Sequence, residues 1–310
     1  MRAAGIRRYS APVELLELPG PGELRSDEVL LEVCFCGVGN WDEIARAGGW
    51  DLGRHPPMAL GVEAAGVVAG TGGAGLAPGD RVMTHSLPLR VQGAWAQWFV
   101  AAAADVAAVP DAVPLDVAAA VPVPALTADQ ALRDGVGAGP GAILLVNGAG
   151  GVTGTLIVQL AVHLGAEVIA TAGPRSAARV AAAGAAHVLD RRSPDWPGQV
   201  RELTAGRGAD LAVNAVPSGA ASALAAVRNR GRLATITSDP PDAERGIEVR
   251  QVYVAPDGPR LARLAELLDA GTIGVTVSAR FPLEHAARAL AQLHRGTNGQ
   301  AVVLQPGPAG

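Results

Sequence analysis

The sequence predicts an α/β chain in which a parallel, doubly wound sheet covered by helices follows an all-β segment. Three observations predict it. At 310 residues and 49% hydrophobic, the chain is long enough for about two domains of ordinary size. From Met1 to about Asp116 it runs as short apolar or alternating stretches (VELLEL, EVLLEVCF, GVEAAGVVAG, AWAQWFVA) punctuated by glycine, proline and aspartate, which is how all-β segments read. After Leu115 an alanine-rich helical stretch leads into AILLVNGAGGVTGTLIVQLAVHLGAEVIATAG. There a buried strand, a glycine turn, a helix and a second strand follow in order, as one βαβ unit.

The remaining elements follow from the same periodicities. Gly70 to Gly79 (GTGGAGLAPG) sits between two apolar runs and is short enough to connect two strands, so it marks no domain boundary. Strand and helix pairs at HVLD, DLAVNAV, SALAAVRNRG and RLATIT extend the parallel sheet. From about Gln251 an amphipathic helix (PRLARLAELLDAG) precedes two short strands, VTVSARFPL and QAVVLQP. No internal repeat is present.

The segment Asn147 to Gly154 (NGAGGVTG) leaves an apolar strand and opens a helix, the context that a dinucleotide fingerprint needs. Gly148 and Gly150 permit the tight turn, Gly151 admits a pyrophosphate, and Gly154 lets the helix pack closely. Val152 and Thr153 supply amides at the positive end of the helix dipole. An acidic residue about 20 residues further on usually binds the ribose hydroxyls in NAD-preferring folds. Here that place reads Thr171, Ala172, Gly173, Pro174, Arg175. An arginine fork suits a 2′-phosphate and no carboxylate repels one, so NADPH is the expected cofactor. Arg179, Arg191 and Arg192 are secondary partners for that phosphate.

Composition narrows the function. A net charge of −4 with 17% charged residues lacks the basic excess of a nucleic-acid binder. All 25 basic residues are arginine, which excludes Schiff-base lysines and Walker-type phosphate loops. Cys34 and Cys36 lie on one face of a strand and read as buried free thiols. The first residues lack a signal-peptide pattern and no apolar run reaches about 18 residues, so a cytoplasmic protein without a membrane span is expected.

GVEAAGVVAG with the later GDRV, PALTADQAL, NGAGGVTGTLIVQLA, HLGAEVIATAG, and VYVAPDG with QAVVLQP together resemble the medium-chain dehydrogenase/reductase superfamily, in its zinc-free quinone oxidoreductase and enone reductase branch. The resemblance covers nearly the whole chain. It implies a GroES-like, partly open β-barrel domain (1–118 plus 252–310) with a Rossmann domain (119–251) inserted, and a homodimer. Zinc-dependent relatives carry a cysteine and a histidine in segments resembling GVGNWD and GVE; this chain has Gly39 and Val62 there, so no metal is expected. Glu63 beside Val62 is then either structural or functional.

The resemblance also places Asn40, Trp41, Asp42 and Thr127 beside the nicotinamide, although the family's usual asparagine aligns with Gly39 rather than Asn40. Asp42 either takes part in the chemistry or holds its loop. Asn214, Val216 and Thr237 fall at strand ends, which face the ligand crevice in open α/β sheets. With five tryptophans against three phenylalanines, Trp41, Trp50, His55 and Trp95 are candidates for the pocket of a planar, conjugated substrate, the alternative for Trp95 and Trp98 being barrel core or dimer contact. Tyr253 and His55 are candidate proton donors; a structural histidine, a ribose-packing tyrosine and solvent protonation are the alternatives. Without a metal, hydride transfer needs an acceptor polarised by hydrogen bonds or by its own conjugation. The expected activity is therefore NADPH-dependent reduction of a carbonyl-conjugated double bond or a quinone. A non-catalytic NADPH-binding protein is the competing reading, and a reductase of unconjugated ketones or aldehydes the least favoured.

Overall fold

A computed structural model describes residues 1–73 and 75–308 of the chain. They divide into two compact units, one of residues 1–126, 255–271 and 275–310, the other of residues 127–254 and 272–274.

In the first unit the chain forms β1 (Arg2–Ile6), β2 (Glu14–Glu17), β3 (Glu28–Val38), α1 (Asn40–Ala47), β4 (Met58–Ala59), β5 (Glu63–Thr71), β6 (Arg81–His85), β7 (Trp98–Ala102), β8 (Val106–Ala108) and α2 (Leu115–Ala118). The boundary falls within α3 (Pro122–Gln130). β1 lies between β2 and β4 in a small antiparallel sheet. The larger sheet is centred on β3, whose eleven residues pair antiparallel with β5 and β7 and, near its end, with the last strand of the chain. Two register shifts between β3 and β5 bend the long strand, as bulges do in curved sheets. The glycine-rich segment 70–79 joins β5 to β6 as the sequence predicts, with Ala74 outside the described residues.

The second unit holds β9 (Ile143–Asn147), α4 (Val152–His163), β10 (Glu167–Ala172), α5 (Ala177–Ala182), β11 (His187–Asp190), α6 (Trp196–Leu203), β12 (Ala209–Asn214), α7 (Ala220–Ala226), β13 (Val227–Thr235) and β14 (Glu248–Gln251). All five pairings are parallel, in the order β11-β10-β9-β12-β13-β14. This is the doubly wound order with its reversal between β9 and β12. Alternate strand residues serve opposite faces. Leu145, Ile169, Ala212 and Leu233 pack with Trp196 and Val200 of α6 and with Ala223 and Leu224 of α7. α4, apolar and buried from Gly154 to Ala161 apart from half-buried Gln159, packs on β9 and β10. Each such Leu, Ile or Val contributes about 1.5–3 kcal/mol by leaving water.

The chain then returns to the first unit through α8 (Gly258–Asp269), β15 (Val277–Pro282), α9 (Ala286–Arg295) and β16 (Ala301–Gln305). Asp257 caps α8, its Oδ1 accepting the Arg260 amide at 2.8 Å. β16 inserts between β15 and β3, so both halves of the chain build one sheet. The units meet in sequence at 126/127 and 254/255 rather than at 118/119 and 251/252. Ala119, Ala120, Val121 and Val123 are buried, and the Val123 amide donates to Glu63 of β5 at 2.7 Å, which fixes this segment in the first unit. SALAAVRNRG also divides earlier than its composition suggests: the helix stops at Ala226, and Val227 already belongs to the strand.

Trp95 organises the core of the first unit. Its ring is fully buried, and its Nε1 donates to the Gly37 carbonyl of β3 at 2.9 Å. Trp95→Phe keeps most of the apolar volume but leaves that carbonyl without its donor. The expected loss is about 1–3 kcal/mol, read from the urea midpoint of unfolding; an unchanged midpoint would contradict this role.

Candidate functional site

The glycine turn begins where β9 ends. Gly148 has φ of 95°, a conformation glycine adopts without strain, and its amide donates to Thr171 Oγ1 at 2.9 Å. A Cβ at Gly154 would lie 2.2 Å from the Gly148 carbonyl oxygen, so only glycine lets α4 start this close to the strand. A Cβ at Gly151 would meet nothing nearer than 4.0 Å, and Gly151 is exposed. The open side of the turn therefore lies there. No side chain caps the start of α4, so its first amides, those of Val152 and Thr153 included, and its dipole are left for an anion. These residues fit the pyrophosphate of a dinucleotide.

Four buried polar side chains stand level across the carboxyl ends of the central strands: Thr171, Asn147, Asn214 and Thr235. Thr171 Oγ1 donates to Asn147 Oδ1 at 2.7 Å. Asn147 Nδ2 donates to Asn214 Oδ1 at 2.9 Å, across the topological switch point. Asn214 Nδ2 donates in turn to the Val216 carbonyl at 3.0 Å, Thr235 Oγ1 at 3.1 Å and Thr237 Oγ1 at 3.0 Å. Thr237 continues to Asp239. Thr171 and Asn214 are thus enclosed beneath the site, whereas Val216 and Thr237 are half-buried at its edge. Sequence reasoning missed Thr235; its signal is that, like Asn147 and Asn214, it is the polar residue that ends a strand after a short apolar run.

Arginines surround the end of β10. Arg175 and Arg191 are exposed, and a Cβ at Gly173 would lie 3.3 Å from Arg191 Nε. Arg192 instead pairs with Asp190 at 2.9 Å, and this guanidinium holds the Asp190 carboxyl below its usual range. Arg179 turns inward: its Nη2 donates to the Gly150 carbonyl at 2.8 Å.

In the first unit, Asn40, Trp41 and Asp42 share the start of α1. Asn40 is exposed. The Trp41 indole lies over Gly39, where a Cβ would come within 2.2 Å of the ring; its Nε1 is enclosed without a hydrogen-bond partner among the described residues. Asp42 is 1% exposed, and its Oδ2 accepts the Gly39 amide at 2.8 Å. Burial pushes its carboxyl up to about 8, against the opposing pull of the Gly39 and Gly61 amides. Glu63 is equally enclosed and driven well up by burial, with the Val123 amide opposing and nearby Asp42 adding to the shift. Cys36 is buried beside these acids and Cys34 is half-buried. His85, held by the Val62 carbonyl at 3.0 Å, is pushed down to about 4 by burial.

The other aromatic candidates do not gather at one point. Trp50 is half-buried, His55 is exposed with its Nδ1 hydrogen-bonded to Tyr9 at 3.0 Å, and Trp95 lies in the core. In the second unit Thr127 is half-buried on α3, and Tyr253 is 71% exposed, its hydroxyl accepting from Gln251 Nε2 at 2.6 Å. Among the described residues no group of three or more His, Cys, Asp or Glu is arranged to hold a metal. No helix among the described residues is long and apolar enough to cross a membrane.

The raised Asp42 carboxyl makes stability fall with pH. Below the unfolded range near 4 both states are protonated. Between that value and about 8 the folded chain keeps a proton that the unfolded chain has released. Asp42 then subtracts at most about 1.4 kcal/mol per pH unit. Asp42→Asn removes this slope while keeping an oxygen for the Gly39 amide. Its thermal midpoint is expected to fall less steeply than wild type from pH 5 to 8, and parallel profiles would contradict the assignment.

Comparison with known proteins agrees with the two units. Residues 25–111 match the alcohol dehydrogenase GroES-like domain family and residues 152–255 the zinc-binding dehydrogenase family. An erythronolide synthase of Saccharopolyspora erythraea is 33% identical over 92% of this chain, which spans only 8% of that much longer protein. The quinone oxidoreductase of Sus scrofa is 26% identical, with 98% of each chain covered. A mycobacterial structure solved in complex with NADPH is 30% identical, with a TM-score of 0.86 over 99% of this chain and 100% of that one. A parallel Rossmann sheet, a GroES-like unit and these relatives together identify the chain as an oxidoreductase of the medium-chain dehydrogenase/reductase superfamily, in its quinone oxidoreductase branch.

Proposed function

We propose that the chain is an NADPH-dependent, metal-free reductase that delivers hydride to a carbonyl-conjugated double bond or a quinone. The observation that carries the cofactor choice is the end of β10. The strand runs out through Gly173 and Pro174 into exposed Arg175, Arg191 stands over Gly173, and the neighbouring Asp190 is engaged by Arg192. Guanidinium groups at this strand end favour a 2′-phosphate, and the neighbouring Asp190 carboxylate is already held by Arg192.

When bound, the reduced nicotinamide supplies the hydride. The chain's own residues bind and orient. The amides that open α4 hold the pyrophosphate, Val216 and Thr237 border the nicotinamide side, and Asn40 with Trp41 offers a polar group and an indole at the start of α1. Asp42, enclosed and bonded to the Gly39 amide, positions that start rather than exchanging protons with substrate. The donor set offers no Lewis acid, so a conjugated acceptor, which delocalises the incoming charge itself, suits the site better than an isolated ketone. The name of the quinone oxidoreductase relative supports the quinone arm.

Titration of the protein with NADPH and NADH, followed by nicotinamide fluorescence, tests the cofactor; addition of 9,10-phenanthrenequinone and a simple enone tests the reaction. NADPH is expected to bind at least about tenfold tighter, the value of one charge-assisted hydrogen bond, and to be oxidised by one acceptor. Arg191→Ala is expected to remove most of that preference while leaving NADH affinity unchanged. Preference for NADH would overturn the cofactor assignment, and tight NADPH binding without oxidation by any acceptor in a broad panel would favour a binding protein over an enzyme.

A further inference from the structure

Arg179 belongs to α5 but works on the glycine turn. Its Nη2 donates to the Gly150 carbonyl at 2.8 Å and its Nη1 to Thr155 Oγ1 at 2.5 Å. Thr155 is 7% exposed, and its hydroxyl is directed at two more carbonyls of the same turn, Ala149 at 3.0 Å and Gly151 at 2.8 Å. All three consecutive carbonyls thus point at one guanidinium–hydroxyl pair behind the turn. The start of α5 closes this rear wall: a Cβ at Gly150 would lie 2.6 Å from Ser176 Oγ, which donates to the Gly173 carbonyl at 3.1 Å.

The orientation of those carbonyls decides what the turn can bind. A peptide group that turns its oxygen outward presents partial negative charge to a phosphate, and one that turns it inward presents the amide. Flexible glycines leave both orientations open, so something must choose. We propose that Arg179 is the positioning residue of the pyrophosphate site: by holding the Gly150 carbonyl and Thr155, it keeps the turn in its anion-binding orientation, and it does so from behind, without touching the cofactor. The proposal rests on the dinucleotide reading of the turn but not on the choice of NADPH. It separates Arg179 from Arg175 and Arg191, because a residue that orders the turn affects every ligand carrying the diphosphate, whereas one that reads the 2′-phosphate affects only ligands that carry it.

Calorimetric titration with ADP-ribose and with 2′-phospho-ADP-ribose, which share the diphosphate and differ only in the 2′-phosphate, separates these roles in wild type, Arg179→Gln, Arg179→Lys and Arg191→Ala, thermal midpoints being measured alongside. Arg179→Gln is expected to weaken ADP-ribose and 2′-phospho-ADP-ribose by the same factor, about 5- to 20-fold for the loss of its hold on the Gly150 carbonyl and Thr155. Arg179→Lys reaches one of the two acceptors and is expected to recover part of the affinity for both ligands. Arg191→Ala is expected to weaken 2′-phospho-ADP-ribose alone. Thr155→Val loosens the same hold from the other side, keeps the helix, and is expected to weaken both ligands equally, so the proposal stands or falls on it if the Arg179 variants do not fold. Loss confined to 2′-phospho-ADP-ribose would make Arg179 a 2′-phosphate ligand, and unchanged affinity for both ligands would show that the turn holds itself; either result overturns the proposal. Wild-type protein that binds neither ligand would instead fail the dinucleotide reading, and the proposal with it.

Discussion

The second unit depends on the hydrogen bond between Asn147 and Asn214. Adjacent strands of a parallel sheet diverge into separate loops at their carboxyl ends, and at the point where the strand order reverses, the loops leave toward opposite faces of the sheet. Asn147 and Asn214 sit at that point, and their 2.9 Å side-chain bond ties β9 to β12 just as the loops part. Thr171 extends the tie to β10 and Thr235 to β13. A buried polar row is favourable only when its members satisfy one another, so each residue constrains its neighbour's rotamer, and the row fixes the strand register. The glycine turn hangs directly from it, through the Gly148 amide on Thr171. The precision of the anion site is thus set one layer below, in groups that an approaching ligand does not touch.

The first unit shows the opposite electrostatic regime. Burial raises the proton affinity of Asp42, Glu63 and Cys36, Asp42 adds to the shift of Glu63 and both acids add to that of Cys36, and the partners of both carboxyls are backbone amides rather than cations. Amides alone do not offset the desolvation of a carboxylate, so the acids hold their protons near neutrality. Their contribution is geometric. Asp42 fixes the entry into α1, and Glu63 fixes the entry into α3, which are the helices that carry Asn40, Trp41 and Thr127.

Much of this was legible in the sequence because it rests on local rules. Glycine turn, apolar strands and helix periodicity locate the second unit and its anion site, since each is a statement about neighbouring residues. What escaped depends on partners distant in sequence. Segment 119–126 reads as the start of the helical domain, yet Glu63, some sixty residues earlier, anchors it in the first unit. Trp95 reads equally as pocket or core until its indole is seen to reach Gly37. Arg179 reads as a secondary partner for the 2′-phosphate, and only the packing of α5 behind the turn reveals its orientation. Gly39, one residue before Asn40, gains its reason from the Trp41 ring that occupies the space a side chain would need.

The central claim is that one dinucleotide site lies over the Asn147–Asn214 tie and draws on both sides of the switch point. Amide hydrogen exchange of the protein with and without saturating NADPH tests it directly. Slowed exchange is expected to appear together in residues 148–155 and in residues 215–219, on the two loops that leave the tied strands. Bound NADPH that protects neither loop, or only segments away from these strand ends, would contradict it.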